Sequence, residues 1–311
     1  MKETIRNTFI LLLYFCGFSK MRNFIFRLSG KSITRILAFH QIKTEQTQAF
    51  EKKLKYLVEH FNIITLKDFL KGNTSLAKIN IVVTFDDGYR NWVDVIPLLE
   101  KYRIPAVFFV SSGFLGLQSE EEIQEFCRYK LKIQPTENLT PEHLVWIRIK
   151  GFEVGVHTKN HSDLGSIGIE HLREEIIESK KELEALLEQK VSYFAYPFGD
   201  FSNMSDEAIE IIKEAEYECA LTIIPGVNNN LTNRYCLHRD SLESNMPDII
   251  FRAWLLGNYD YLKVFINFLK NVRQSLLSVL VKDVLNNPKW NRKGAKTLCY
   301  LCVLRPFRYK E

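Results

Sequence analysis

Residues 84–89 read Thr-Phe-Asp-Asp-Gly-Tyr, directly after the β-branched run Ile79-Asn80-Ile81-Val82-Val83. A buried strand ending there delivers two adjacent carboxylates, Asp86 and Asp87, and Gly88 turns the chain away. Neighbouring acids repel unless a cation or a shared proton sits between them, so the pair reads as a site. The competing reading is the start of a helix, where Asp is favoured in any case. A second segment, His157-Thr158-Lys159-Asn160-His161, follows the strand-like Phe152-Glu153-Val154-Gly155-Val156. Histidines four apart can face one metal ion from one side of a turn or helix. Beside a strand-end acid they make a set of two imidazoles and one carboxylate, with open positions for water and substrate. A third strand end is Tyr193-Phe194-Ala195-Tyr196-Pro197-Phe198-Gly199.

These segments need a scaffold that brings strand ends together. Strand signals fall at 36–40, 62–64, 79–85, 105–110, 152–157, 192–196 and 218–223, and weakly at 235–238. Helical periodicity lies between most of them, at 47–59, 90–102 and 169–189, and Thr65-Leu66-Lys67-Asp68 resembles a capping box. Strands alternating with helices imply parallel βαβ units. Seven or eight units suggest a barrel, whose functional face is the one at the C-terminal strand ends, where all three segments sit. Residues 113–140 read as an inserted loop or helix near that face.

The three segments in this order resemble the polysaccharide deacetylase family, the group sharing the NodB homology domain (carbohydrate esterase family 4). The resemblance spans roughly residues 35–245, and Arg35-Ile36-Leu37-Ala38-Phe39-His40 is similar to the first strand of a subgroup with an early strand-end histidine. It implies an α/β fold: a distorted (β/α)7-8 barrel with N- and C-terminal helical extensions, divided as residues 1–34, 35–245 and 246–311. It also implies removal of N-acetyl groups from amino sugars of a polysaccharide or lipid-linked glycan. The roles it carries over are Asp87, His157 and His161 as ligands of one divalent ion (zinc, or else nickel or cobalt) and Asp86 as general base. The backbone N–H of Tyr89 becomes the oxyanion donor, and Tyr196, Pro197 and Phe198 line the substrate. Two histidines compete as general acid, His40 and His238, and the early strand-end position favours His40. One departure stands out. Many members carry Arg where this chain has Ala195, and Arg239 is the candidate to supply that charge. If nothing replaces it, the alternatives are an inactive carbohydrate-binding member of the fold or a deacylase of another small amide.

The chain has 311 residues, 46% of them hydrophobic, enough for a large core. Its +5 net charge is unevenly spread: residues 1–35 and 286–311 each hold seven bases against one acid, +6 apiece, which leaves the middle at −7. Both ends carry apolar runs, Phe9–Phe18 and Leu298–Leu304. Ten apolar residues are too few to span a bilayer, which takes about 20. No small-residue cleavage site follows the first run. The N-terminal pattern reads either as an amphipathic helix or hairpin on an anionic membrane surface or as a helix packed on the barrel bottom. A cytoplasmic protein peripheral to the inner membrane face is expected, or else one exported with an uncleaved or atypical signal. Nucleic acid is not an expected partner, because the charge is terminal and broken by apolar runs. The cysteines, Cys16, Cys127, Cys219, Cys236, Cys299 and Cys302, follow no framework spacing and read as reduced thiols.

Overall fold

The computed structural model describes residues 2–261. Eight strands form one sheet: β1 Thr34–Phe39, β2 Asn62–Ile63, β3 Asn80–Asp87, β4 Ala106–Val110, β5 Glu153–Val156, β6 Tyr193–Ala195, β7 Cys219–Leu221 and β8 Asp240–Ser241. Their order is β7-β6-β5-β4-β3-β1-β8, with β2 also on β3, and every pair is parallel. A parallel bridge between Leu221 and Leu237 draws the segment before β8 against β7. The sheet is thus a curled, distorted (β/α) barrel, as the alternating pattern predicts. The weak strand signal at 235–238 resolves into that bridge and the short β8.

Helices surround the sheet: α1 Lys2–Phe15, α2 Phe18–Leu28, α3 Thr47–His60, α4 Leu66–Leu70, α5 Trp92–Tyr102, α6 Glu120–Glu125, α7 Pro141–Ile149, α8 Ile169–Arg173, α9 Ser179–Leu187, α10 Asp206–Glu214 and α11 Asp248–Leu255. The Thr65 capping box is formed: Thr65 Oγ1 accepts from the Asp68 N–H at 2.9 Å, and Asp68 Oδ2 accepts from the Thr65 N–H at 3.4 Å. The long helix predicted over 169–189 is interrupted. A π-turn at Glu174–Glu178 separates α8 from α9, and a second, Phe126–Leu131, follows α6 in the inserted segment.

β1 and β3 are buried along their whole length, as strands covered on both faces must be. Along β3 the side chains alternate. Val82 faces the barrel interior with Ile36, Val107, Phe109, Tyr193 and Ala195, and the period of two puts Thr84 and Asp86 on that side too. Phe85 points outward and stacks on Phe108 at 4.8 Å, beneath Trp92 of α5. Gly155 in β5 makes room inside: a Cβ there would lie 2.4 Å from the Phe109 ring.

The compact unit runs from Met1 to Asp260. Residues 1–34 and 246–260 belong to the same compact unit as the barrel strands. α1 lies against α11, with Ile10, Ser19 and Asn23 buried. The N-terminal segment is a bent helix pair, and no single helix among the described residues is long and apolar enough to cross a membrane. The Leu298–Leu304 run, Cys299 and Cys302 lie outside the described residues.

Candidate metal centre and active site

Successive residues of a strand face opposite sides of a sheet, yet both carboxylates of the Asp86-Asp87 pair lie within electrostatic reach of His157 and His40. The backbone explains how. Asp87 has φ 91° and Gly88 φ 111°, so the pleat breaks at the last residue of β3 and Asp87 swings to the strand-end face. A non-glycine residue there is strained, the kind of cost that accumulates at functional sites. Thr158 (φ 61°) and His161 (φ 52°) share the left-handed region and fold the segment after β5 into a tight loop. The two imidazoles converge, with centroids 5.0 Å apart.

Asp87 Oδ1 lies 3.4 Å from His157 Nε2 and 3.3 Å from His161 Nε2. One ligand atom from each of the three fits within 4.8 Å of the others. Each ring is fixed from behind by a carbonyl: His157 Nδ1 is 2.8 Å from Ala195 O, and His161 Nδ1 is 3.2 Å from Lys130 O. Those carbonyls can only accept, so each Nδ1 carries a proton, and in the neutral ring Nε2 then presents a lone pair. Three lone pairs meet at one point, and Asp87 Oδ1 is buried without a hydrogen-bond partner. This donor set fits a divalent cation, and the carbonyls behind the two rings fix their orientation toward it. Asp87 Oδ2 accepts a 2.6 Å hydrogen bond from the Tyr89 hydroxyl, which leaves Oδ1 for an ion. Burial and the Asp87 charge push the Tyr89 phenol upward, so it stays a donor at neutral pH.

Asp86 is 1% exposed. Arg239, itself fully buried, donates from Nη1 to Asp86 Oδ1 at 2.6 Å and to Thr84 Oγ1 at 3.2 Å, and from Nε to Thr222 O at 2.7 Å. Burial opposes ionisation of Asp86, but the Arg239 charge, with His157 and His40, outweighs it and holds the carboxyl below its ordinary range. For Asp87 the same burial cost is overcome by the contacts with His157 and His161 and by His40, and its pKa falls well below that range. Arg239 also lies over Phe109, 5.5 Å from the ring centroid. The room that Gly155 leaves for Phe109 therefore reaches the base through the arginine.

His40 follows β1, and its charge acts on both carboxylates. Trp92 Nε1 donates to its carbonyl at 3.2 Å. His238 packs on Gly226, where a Cβ would lie 3.0 Å from its Cγ, and its backbone is held by Asn228. The third motif separates into parts. Phe198 stands edge-on to His161 with centroids 4.7 Å apart, and Lys132 Nζ sits 4.3 Å over its face. Pro197 is buried. Tyr196 corrects the expected substrate lining. Strand parity sends it outward with Phe194, 5.3 Å away, and its hydroxyl donates to Tyr235 O at 3.0 Å, so it is 1% exposed and belongs to the core.

Two contributors have no motif. Lys130 O comes from the inserted segment, whose only signal was its place beside the site. Glu175 is 5% exposed on the π-turn between α8 and α9. Its Oε2 accepts from the Lys159 and Asn160 N–H groups at 3.0 and 2.8 Å, and its Oε1 from Asn160 Nδ2 at 2.8 Å. It clamps the loop between the two histidines, and its helical neighbours hide it among many surface acids.

Residues 73–220 match the polysaccharide deacetylase family. Over this stretch, 148 of its 311 residues, the chain is similar to that family. The match contains Asp86, Asp87, Tyr89, His157, His161 and the 193–199 motif, and it leaves out His40, His238 and Arg239. Among related sequences, YxkH of Bacillus subtilis is 24% identical over 233 residues, covering 71% of this chain and 75% of its own. A Staphylococcus aureus poly-β-1,6-N-acetyl-D-glucosamine N-deacetylase is 23% identical over 244 residues, 75% of this chain and 78% of its own. Two solved structures share the fold. IcaB from Ammonifex degensii has a TM-score of 0.58 at 22% identity over 73% of this chain and 98% of its own. The Streptococcus pyogenes deacetylase PplD has 0.57 at 22%, over 72% and 98%.

Proposed function

We propose that this protein is a metal-dependent hydrolase that removes N-acetyl groups from amino sugars of a glycan polymer. The observation that carries the reading is the meeting of three lone-pair donors, on Asp87, His157 and His161, beside a second carboxylate held by a buried arginine. Two imidazoles and a carboxylate suit zinc, and nickel or cobalt accept the same donors. Such an ion supplies Lewis acidity to the amide oxygen and to a bound water. Asp86, ionised and oriented by Arg239, takes the proton of the attacking water. The Tyr89 N–H, aimed past the Gly88 turn, donates to the oxygen as it gains negative charge. His40 returns a proton to the departing amine nitrogen, so that acetate and a free amino sugar leave. His238 lies in the segment before β8, away from the first strand end, and is the weaker acid candidate.

Arg239 on Asp86 also answers the departure at Ala195. The guanidinium comes from the segment before β8 instead of from β6, which supports an active enzyme over a silent carbohydrate-binding protein. The relative that acts on poly-β-1,6-N-acetyl-D-glucosamine points to N-acetylglucosamine oligomers as first substrates. Elemental analysis paired with acetate release tests the reading. His161→Ala should lose metal and acetate release together, and full metal occupancy or undiminished turnover in that variant would sink it.

A further inference from the structure

α1 and α2 meet at Gly17 (φ 72°) with a bend of 64°. One side of the pair is pinned to the barrel by polar bonds as well as by Ile10. Ser19 Oγ donates to Asn258 Oδ1 at 2.6 Å, Asn23 Nδ2 to Leu256 O at 3.3 Å, and Arg22 Nη1 to Asp260 at 2.8 Å. The other side is apolar and open. Leu12, Phe15, Met21, Phe24, Ile25 and Leu28 are each between 57% and 73% exposed. Scattered apolar residues need no explanation, but six on one bent pair form a patch of the kind that marks an interaction surface. Beneath α2 lies a cavity of about 310 Å³, lined by Lys20, Phe24, Tyr56, His60 and Ile79 among others. It opens the same face into a groove with apolar walls and a cationic rim.

Charge selects the occupant. Residues 1–31 hold six bases (Lys2, Arg6, Lys20, Arg22, Arg27, Lys31) and one acid, Glu3; Arg22 is paired with Asp260, so the other five bases against Glu3 leave +4. A symmetric dimer through this face would set +4 against +4. We propose that the α1–α2 face docks on an anionic lipid bilayer, lying in the headgroup layer with its apolar residues at the acyl boundary and the cations at the phosphates. The bend and the polar anchors then fix the orientation of the barrel. Ile79, which lines the cavity, immediately precedes β3, and Asp87 ends that strand eight residues later, which at ~3.3 Å per residue puts the two about 26 Å apart. The catalytic face therefore points away from the bilayer. If the proposed function holds, the substrate is a glycan chain extending past the headgroups, not the sugar joined to a lipid anchor.

Full-length protein is mixed with vesicles of phosphatidylcholine alone or with phosphatidylglycerol, and sedimentation is measured at low and high salt. Anionic vesicles should carry the protein down, high salt should release it, and Phe15→Glu with Phe24→Glu should weaken partition roughly tenfold or more. 4-Cyanophenylalanine at position 24 should be quenched by doxyl lipids, whereas at Phe201, 66% exposed beyond β6, it should not. Equal sedimentation with neutral vesicles, a quenched position 201, or a dimer in light scattering that Phe24→Glu dissolves each overturns the proposal. Metal content and acetate release in vesicle-free solution are read on the same variants. Their loss would count against the proposed function, and their retention without vesicle binding against the docking surface alone.

Discussion

Replacing Arg239 by Met isolates the one pairing in the site that lies outside the family match. Arg239 is 0% exposed and Asp86 1%, so solvent screening does not soften the change. Taking one partner from a buried ion pair leaves the other charge uncompensated, at a cost of about 3–5 kcal/mol. Asp86 escapes part of that cost by binding a proton, because the charge that offsets its burial has gone. Its pKa must rise, and a protonated Asp86 cannot take a proton from water. Turnover at neutral pH should fall by about 10²–10⁴, the range of a lost general base, and the acidic limb of the pH–rate profile should move to higher pH. Metal content should hold, since Arg239 donates to Asp86, Thr84 and Thr222 and to none of the three ligand atoms. Urea unfolding, acetate release against pH and elemental analysis read the three effects separately. Adding Asp86→Asn to Arg239→Met removes both charges, so stability should partly return while turnover does not. A single variant within about 1 kcal/mol of the parent, far below the cost of a broken buried pair, with an unshifted profile would refute the reasoning.

His40→Ala should lower turnover at constant metal content and His238→Ala should cost less, and the reverse ranking in acetate release would move the acid role to His238. Glu175→Gln keeps the shape but replaces the acceptor of the Lys159 and Asn160 N–H groups with a weaker one. Metal affinity by competition with a chelator should drop about tenfold, as second-shell changes do, and an unchanged affinity would leave Glu175 a structural residue only. Asp260 is held below its ordinary range because Arg35 and Arg22 outweigh its burial. A depressed folded pKa contributes stability above the unfolded value near 4 and loses it as pH falls through the folded value. The melting-temperature gap between the parent and Asp260→Asn should therefore be widest near neutral pH and close under acid, and a gap that is constant with pH would show that the Arg35 and Arg22 charges are not its source.

Much of the site was legible because its chemistry is local. Asp86-Asp87 and His157/His161 announce themselves by residue type and by standing after β-branched strands, and the strand–helix alternation says that those ends share a face. What was not legible depends on parity and on long-range partners. Tyr196 stands inside a motif, yet the period of two turns it to the helix layer. His40 and His238 look alike on paper, and only the path of the chain before β8 separates them. The helix at 169–189 carries one continuous apolar stripe, and nothing in that stripe marks the π-turn that presents Glu175.

The sequence by itself determined that strand ends with adjacent acids and spaced histidines meet on a parallel barrel, because side-chain periodicity and metal-donor chemistry are properties of short segments. Tertiary structure alone decided how the adjacent carboxylates divide. Asp87 can turn to the histidines only because the sheet holds its backbone at φ 91°, and Asp86 can stay ionised only because Arg239 arrives from 153 residues away. A buried charge is stable only when its partner is already in place, and that placement is made by the closing of the barrel.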